Sequence, residues 1–518
     1  MRRFTTTGSC VATKHYMVDT SGKLDKIKAL VDDELYFTIT RARQYGKTTT
    51  LALLSKELRK EYICISMSFE NAGQIMFESV EGFCQTFLWH AEKSLRRFYP
   101  EESKIWQDES VVDFNLLGEH LTRLCKCKKV VLIIDEIDRA SNYRVFVMFL
   151  SMLRDKYLDR NLGEGATFHS VILSGVMDVK NLKTKMIVEG TYKIANGEGP
   201  GASPWNIAAD FDVDMSFHPS EIATMLKQYE EDHKTGMDVI AISEEIYKYT
   251  SGYPFMVSRI CQHIDNKCNK DWTMGGIQAA VKIILEEKNT LFSDMSKNLE
   301  NHADLRELVR KVLIDGVAAK FTTDDVCVDF GVMFGYFKNV GGQVAISNRI
   351  FELRMSNYFI LRDVRTTKQI TGVLKEDVVS MGKFDMALCL EKFATHYHRL
   401  FSHKDVEFLE QHGRLLFLSY LQPLINGTGF YHIESETRNT RRMDVVVDYG
   451  NDQFIIELKR WYGESAHNKA YEQLLGYMDA KNVSEGYLLT FDFSKKPKPH
   501  KPGWVEFGSK RIYDVIVR

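Results

Sequence analysis

The apolar run Val130-Val131-Leu132-Ile133-Ile134 ends abruptly in two acids, Asp135-Glu136. A strand with no polar alternation must be buried on both faces, which is the situation of a central parallel strand. Parallel strands need crossover connections, usually helices, so this run commits its neighbourhood to a layered α/β fold. The flanking sequence supplies the parts. Tyr36 to Thr40 and Tyr62 to Ser66 are short β-rich runs, and Leu51 to Leu58 has helical spacing. Residues 74–98 read as one long amphipathic helix, and Ser170 to Gly175 as a strand with a small polar end. The alternation predicts a doubly wound α/β domain over roughly residues 15–215.

Between the first strand and its helix lies Gly46-Lys47-Thr48. Strand, glycine-containing turn and helix form the context of a phosphate-binding loop. Backbone N–H groups would cradle a triphosphate, Lys47 would neutralise its oxygens, and the Thr48 hydroxyl would reach Mg²⁺, with Thr49 beside it. The generic motif has a glycine five residues before Gly46, where this chain has Arg41. The acids after the central strand supply the second half of such a site. Asp135 is the candidate for holding Mg²⁺, through water or through Thr48, and Glu136 for polarising the attacking water. Ser174, at the end of the next strand, stands where a polar group would sense the γ-phosphate, and Asn206 is a second candidate. Arg41 and Arg43 flank the loop, either touching phosphate or solvated.

A second constellation lies near the C-terminus. Asp444 opens the run Val445-Val446-Val447, and Glu457 and Lys459 sit two apart in Phe454-Ile455-Ile456-Glu457-Leu458-Lys459. Alternate residues of a strand share a face, so Glu457 and Lys459 point the same way. Gly450-Asn451-Asp452 between the two runs is a turn signal. Carboxylate oxygens suited to Mg²⁺ and a cation near the attacking water are what a metal-dependent phosphodiesterase needs. Asp444, Glu457 and the main-chain carbonyl of Leu458 are the candidate metal ligands, with Lys459 orienting the nucleophile or neutralising the phosphate. Glu410, on an apolar helix expected from Val406 to Leu421, is the candidate upstream acid, with Glu407 and Glu436 behind it. His432 and His467 read as structural or solvent-exposed. Arg438, Arg441, Arg442 and the tract Lys495, Lys496, Lys498, Lys501 would either neutralise a phosphate backbone or serve as a solubilising face.

At 518 residues the chain exceeds one ordinary core. Its net charge of −2 means that any nucleic-acid surface is local rather than global. No apolar leader follows the N-terminal Met1-Arg2-Arg3-Phe4, and no stretch approaches the roughly 20 apolar residues that span a bilayer. The nine cysteines are scattered, as expected of reduced thiols in a cytoplasmic protein. The close pair Cys125 and Cys127 lacks the partners a zinc site requires.

The domain layout follows. A nucleotide-binding P-loop core is expected at 1–215, a helical segment at 216–275, a winged-helix-like module at 276–365, a connector at 366–400 and a terminal α/β domain at 401–518. Residues 185–206 read as a loop. In the third segment Phe334 to Phe337, a Gly341-Gly342 turn and Val344 to Ile346 form a hairpin, followed by a helix from Asn348 to Phe359. Basic residues are not concentrated there, which favours an interdomain role over direct DNA contact.

The run from Tyr36 to Thr48 resembles bacterial AAA-ATPase-like proteins related to the STAND class, which tend to carry an arginine at the place of the first loop glycine. Ser251-Gly252-Tyr253-Pro254-Phe255 resembles the glycine–proline motif of these ATPases. The resemblance implies a P-loop NTPase core with a small helical lid and a winged helix, and ATP as the nucleotide. Arg259 is then placed where a lid arginine reaches phosphate. The last 115 or so residues resemble the PD-(D/E)XK, restriction-endonuclease-like, nuclease fold. Asp444, Glu457 and Lys459 match its acids and lysine, and Gln473 and Tyr477 match the Q-x3-Y motif of the RecB-like branch. At i and i+4 these two face one side of a helix and can touch DNA or the lysine.

The expected whole is a multidomain α/β chain: an ATP-binding, nucleotide-regulated, Mg²⁺-dependent DNA nuclease. Its expected partners are DNA and ATP, with a homo-oligomer left open and no membrane. The alternative is a nucleotide-dependent switch or scaffold that binds DNA through a non-cleaving nuclease fold and winged helix.

Overall fold

The computed structural model describes residues 2–517 except 74, 107, 127, 142, 178, 180–204, 314–316, 367–374, 381, 401–409, 426–428, 433–444, 451, 493 and 495–499. The chain forms two compact units: Met1–Asp265 with Met333–Gly335, and Asn266–Val332 with Tyr336–Arg518.

In the first unit, β1 (Tyr36–Thr40), β2 (Ile63–Ser68), β3 (Val130–Asp135) and β4 (Ser170–Gly175) form a parallel sheet in the order β1-β4-β3-β2. Every residue of β3 is buried, as its unbroken apolar run requires. One face packs Ile133, Phe37 and Ile39 against α1 (Ser21–Asp32) and α2 (Lys47–Leu58). The other packs Leu132, Ile134 and Leu173 against α3 (Val80–Arg96) and α4 (Arg144–Leu162). The single helix expected at 74–98 is two pieces, Ile75–Glu78 and α3. Ser79 separates them because its extended backbone lets its side chain accept from Gly82 N and cap α3, an alternative to continuing the first helix.

After the sheet come α5 (Pro219–His233), α6 (Val239–Thr250) and α7 (Pro254–Lys267). Pro219 stands at the first helical position of α5, with a capping box between His218 and Glu221. Gly252, between α6 and α7, has φ +74°, and a Cβ there would collide with the Phe217 backbone. This close approach lets Phe217 N donate to Gly252 O at 2.8 Å.

In the second unit, β5 (Phe337–Val340) and β6 (Gln343–Ile346) form the expected hairpin, shifted by up to three residues, and α8 (Arg349–Thr366) follows. The connector expected at 366–400 is replaced over much of its length by a short hairpin and α9 (Met386–Leu400). Met386, Cys389, Leu390 and Phe393 of α9 belong to the core of the terminal sheet, which explains their apolar spacing.

That sheet contains β7 (Gly429–His432), β8 (Val445–Tyr449), β9 (Asp452–Arg460), β10 (Glu485–Phe491), β11 (Gly503–Phe507) and β12 (Lys510–Val517), in the order β11-β12-β10-β9-β8-β7. β8 and β9 are an antiparallel hairpin turning at Gly450, whereas β9, β10 and β12 are mutually parallel neighbours. α9 and α10 (Glu410–Ile425) cover one face, and α11 (Glu464–Lys481) the other.

Candidate active sites

The Arg41-to-Thr48 loop leaves the end of β1, and α2 begins at Lys47. Gly46 precedes the helix with φ +81°, a conformation that costs glycine nothing. Lys47 is buried and its Nζ donates back to the loop carbonyls of Arg41 at 2.9 Å and Ala42 at 3.0 Å. Burial lowers its pKa, opposed by the charges of Glu136, Asp138 and Asp135. The Thr48 hydroxyl donates to Asp135 Oδ2 at 2.8 Å, which joins the loop to the end of β3. The Thr49 hydroxyl accepts from Cys10 N at 3.3 Å.

Glu136 follows in the left-handed region, φ 56° and ψ 43°, an uncommon backbone state for a non-glycine residue. Its pKa is raised, first by burial and then by the neighbouring Asp135 charge. Ser174 is fully buried at the end of β4, and its hydroxyl has no hydrogen-bond partner among the described residues. Ser174 alternates with Leu173, so it shares the α2 side of the sheet with Ile172, Ile133 and Asp135. A buried hydroxyl without a partner, on the face of a glycine-led helix start, fits a phosphate oxygen as its acceptor. Thr48 and Asp135 supply hard oxygens of the kind Mg²⁺ takes.

Three of the candidate residues make contacts of their own within the protein. Arg41 is not solvated: its guanidinium donates to Thr40 O and Val213 O, both at 2.8 Å, and lies over the Phe211 ring. Asn206 accepts from Arg154 Nε at 2.8 Å on an exposed surface. Arg259 Nη1 donates to Gln262 at 2.6 Å within α7. Arg43 is exposed, and its carbonyl accepts from the Tyr253 hydroxyl at 2.5 Å. The Tyr45 and Tyr253 rings meet edge to face at 4.7 Å. The glycine–proline segment is thus bonded to the phosphate-loop backbone through Tyr253.

Asp138 was not among the candidates. Its two oxygens accept from Val176 N and Met177 N, each at 2.8 Å, tying the end of β3 to the end of β4. The only signal in the sequence was a third acid after Asp135-Glu136.

In the terminal sheet, Glu457 is wholly buried and Lys459 Nζ lies 2.7 Å from its Oε1. Ile455 packs with Leu474 and Tyr477 of α11, whereas Ile456 and Leu458 face α9 and α10. Strand alternation therefore places Glu457 and Lys459 on the α11 side. Gln473 Nε2 donates to the Tyr477 hydroxyl at 2.7 Å on that helix. Asp444 lies outside the described residues. Val445, the next in sequence, pairs with Ile456, the neighbour of Glu457. Glu410 opens α10 with its side chain outside the described atoms, and Glu407, Glu436, Arg438, Arg441, Arg442, Lys495, Lys496, Lys498 and Cys127 are also outside them. Lys501 is exposed before β11. Among the described residues no three His, Cys, Asp or Glu side chains gather in a way that could hold a metal. The Glu457 carboxylate is a hard oxygen donor of the kind divalent metals take.

Residues 10–352 match the family described as AAA-like domain. The chain belongs to this AAA-like family. Residues 430–501 match the PD-(D/E)XK nuclease superfamily. Three solved structures are similar to this chain over about two thirds of its length. The Walker-type ATPase PABY2304 of Pyrococcus abyssi is 11% identical, with TM-score 0.47 over 68% of this chain and 99% of that one. A mutant RuvB of Thermotoga maritima is 12% identical, with TM-score 0.31 over 64% and 92%. The ORC1 protein of Aeropyrum pernix, solved in complex with DNA, is 12% identical, with TM-score 0.31 over 67% and 94%. No curated protein matches significantly.

The fold of this AAA-like protein is thus a P-loop-type α/β core followed by a PD-(D/E)XK domain. No helix among the described residues is long and apolar enough to cross a membrane.

Proposed function

We propose that this AAA-like protein binds ATP and is a nucleotide-regulated, Mg²⁺-dependent nuclease acting on DNA. The observation that carries the reading is the buried Glu457 carboxylate paired with Lys459 on the α11 face, in a chain that also bonds Thr48 to Asp135 beside a phosphate-type loop. In the N-terminal site Lys47 exchanges its two loop carbonyls for phosphate oxygens, and the Ser174 hydroxyl donates to the terminal phosphate. Glu136, with its raised pKa, takes a proton from the attacking water. Arg43, Gly46, Thr49 and Arg259 complete the proposed nucleotide set.

In the C-terminal site Glu457, Asp444 and the Leu458 carbonyl would hold Mg²⁺, which would supply an activated water and charge neutralisation when bound. Lys459 orients the nucleophile and neutralises charge building on the phosphate. Gln473 and Tyr477 would touch the substrate strand or Lys459, and Glu410 would be the accessory acid. A supercoiled plasmid incubated with Mg²⁺ should be nicked or linearised by the parent and left intact by Asp444→Ala. Equal cleavage by the two proteins would remove the nuclease assignment.

A further inference from the structure

The turn Trp461-Tyr462-Gly463 leaves the carboxyl end of β9, where its parallel neighbours β10 and β12 also end. The crevice outside the carboxyl ends of parallel strands is where α/β sheets receive ligands. The turn is fastened on both sides. Trp461 N donates to Phe491 O at 2.9 Å, and His467 N donates to Gly463 O at 3.1 Å. The His467 ring lies 5.1 Å from that of Trp461, and its Nε2 meets Asp514 Oδ2 at 2.9 Å. Asp514, almost wholly buried, also accepts from the Tyr471 hydroxyl at 2.7 Å. His467 was expected to be structural or exposed, and its work here is to brace this turn.

On so firmly held a turn, Tyr462 is 72% exposed. The Arg460 guanidinium lies over its ring, 5.5 Å from the centroid. Folding does not need this ring, which covers no core. Three residues of chain span at most about 11 Å, so Tyr462 lies within that reach of Lys459. An exposed aromatic face with an adjoining guanidinium is the chemistry that holds an unstacked nucleobase and the phosphate next to it. Duplex DNA keeps its base faces stacked inside and offers a tyrosine face nothing equivalent.

We propose that Tyr462 and Arg460 form a stacking subsite for an unpaired nucleobase near the scissile phosphate, so that the preferred substrate is a single strand or a frayed end. This rests on the nuclease reading, and binding can be measured apart from cleavage. The full chain carrying Lys459→Ala would be titrated, without divalent metal, into a fluorescein-labelled DNA strand, the same strand as a blunt duplex, and an RNA strand of the same sequence. Adding Tyr462→Ala should weaken strand binding roughly 5- to 150-fold, while Tyr462→Phe, which keeps the ring, stays near the parent. Blunt-duplex binding should barely change. Equal losses on DNA and RNA would assign the nucleobase itself, and a loss on one alone would name the strand. Unchanged strand binding in Tyr462→Ala, or an equal loss on duplex, would overturn the proposal. Failure of the nuclease reading would appear separately, as an uncut strand when the parent protein, with Lys459 intact, is given Mg²⁺.

Discussion

At the scale of single residues, charge and burial decide which side chains can do chemistry. Lys47 is buried with its ammonium donating to two loop carbonyls, which take two of its three N–H donors. Lys47→Ala removes a charge-assisted contact, and nucleotide affinity should fall roughly 10- to 100-fold, read by calorimetric titration with ATP. Glu136 works as a base only when ionised, and burial with the Asp135 charge raises its pKa above the ordinary glutamate value. ATP hydrolysis should therefore decline as pH falls through that raised pKa, and Glu136→Gln should cost about 10²- to 10⁴-fold in rate at neutral pH. A steady-state phosphate-release assay across pH checks both, and a glutamine variant as active as the parent would exclude Glu136 as the base. Lys459→Ala should slow cleavage on the order of 10²- to 10³-fold with little change in thermal unfolding.

At the scale of elements, the sequence revealed strands better than it revealed breaks and caps. The unbroken apolar run of β3 allows one burial pattern, and every residue of that strand is buried as the run requires. Ser79 could equally have continued a helix or capped one, and here its hydroxyl accepts from Gly82 N and caps α3. The apolar spacing of α9 is plain in the sequence, but spacing alone does not say which sheet a helix packs on. Gly252→Ala tests the most demanding turn. A Cβ forced against the Phe217 backbone in a left-handed conformation should cost about 2 kcal/mol or more. Urea unfolding followed by tryptophan fluorescence measures it, and an unchanged midpoint would show that the Gly252 turn relaxes freely.

At the scale of the whole molecule, motifs told more than composition. A net charge of −2, from 68 basic and 70 acidic residues, does not single out Lys47, Asp135 and Glu136 or Glu457 and Lys459. Gly46-Lys47-Thr48 and Asp135 were legible because each sits at a strand end in a fixed spacing. The Thr48–Asp135 bond joins residues 87 apart in sequence and emerges only from the parallel order of the sheet. Asp138 and the Asp514–His467 brace were not legible, since each depends on which strands become neighbours. Control of the nuclease by nucleotide is the claim that joins the two halves of the chain. The direct measurement is the single-turnover rate of DNA cleavage with Mg²⁺, with and without ATP, for the parent and Lys47→Ala. Nucleotide control predicts that ATP changes the parent rate and leaves the Lys47→Ala rate unmoved. A parent rate that is the same with and without ATP would contradict it.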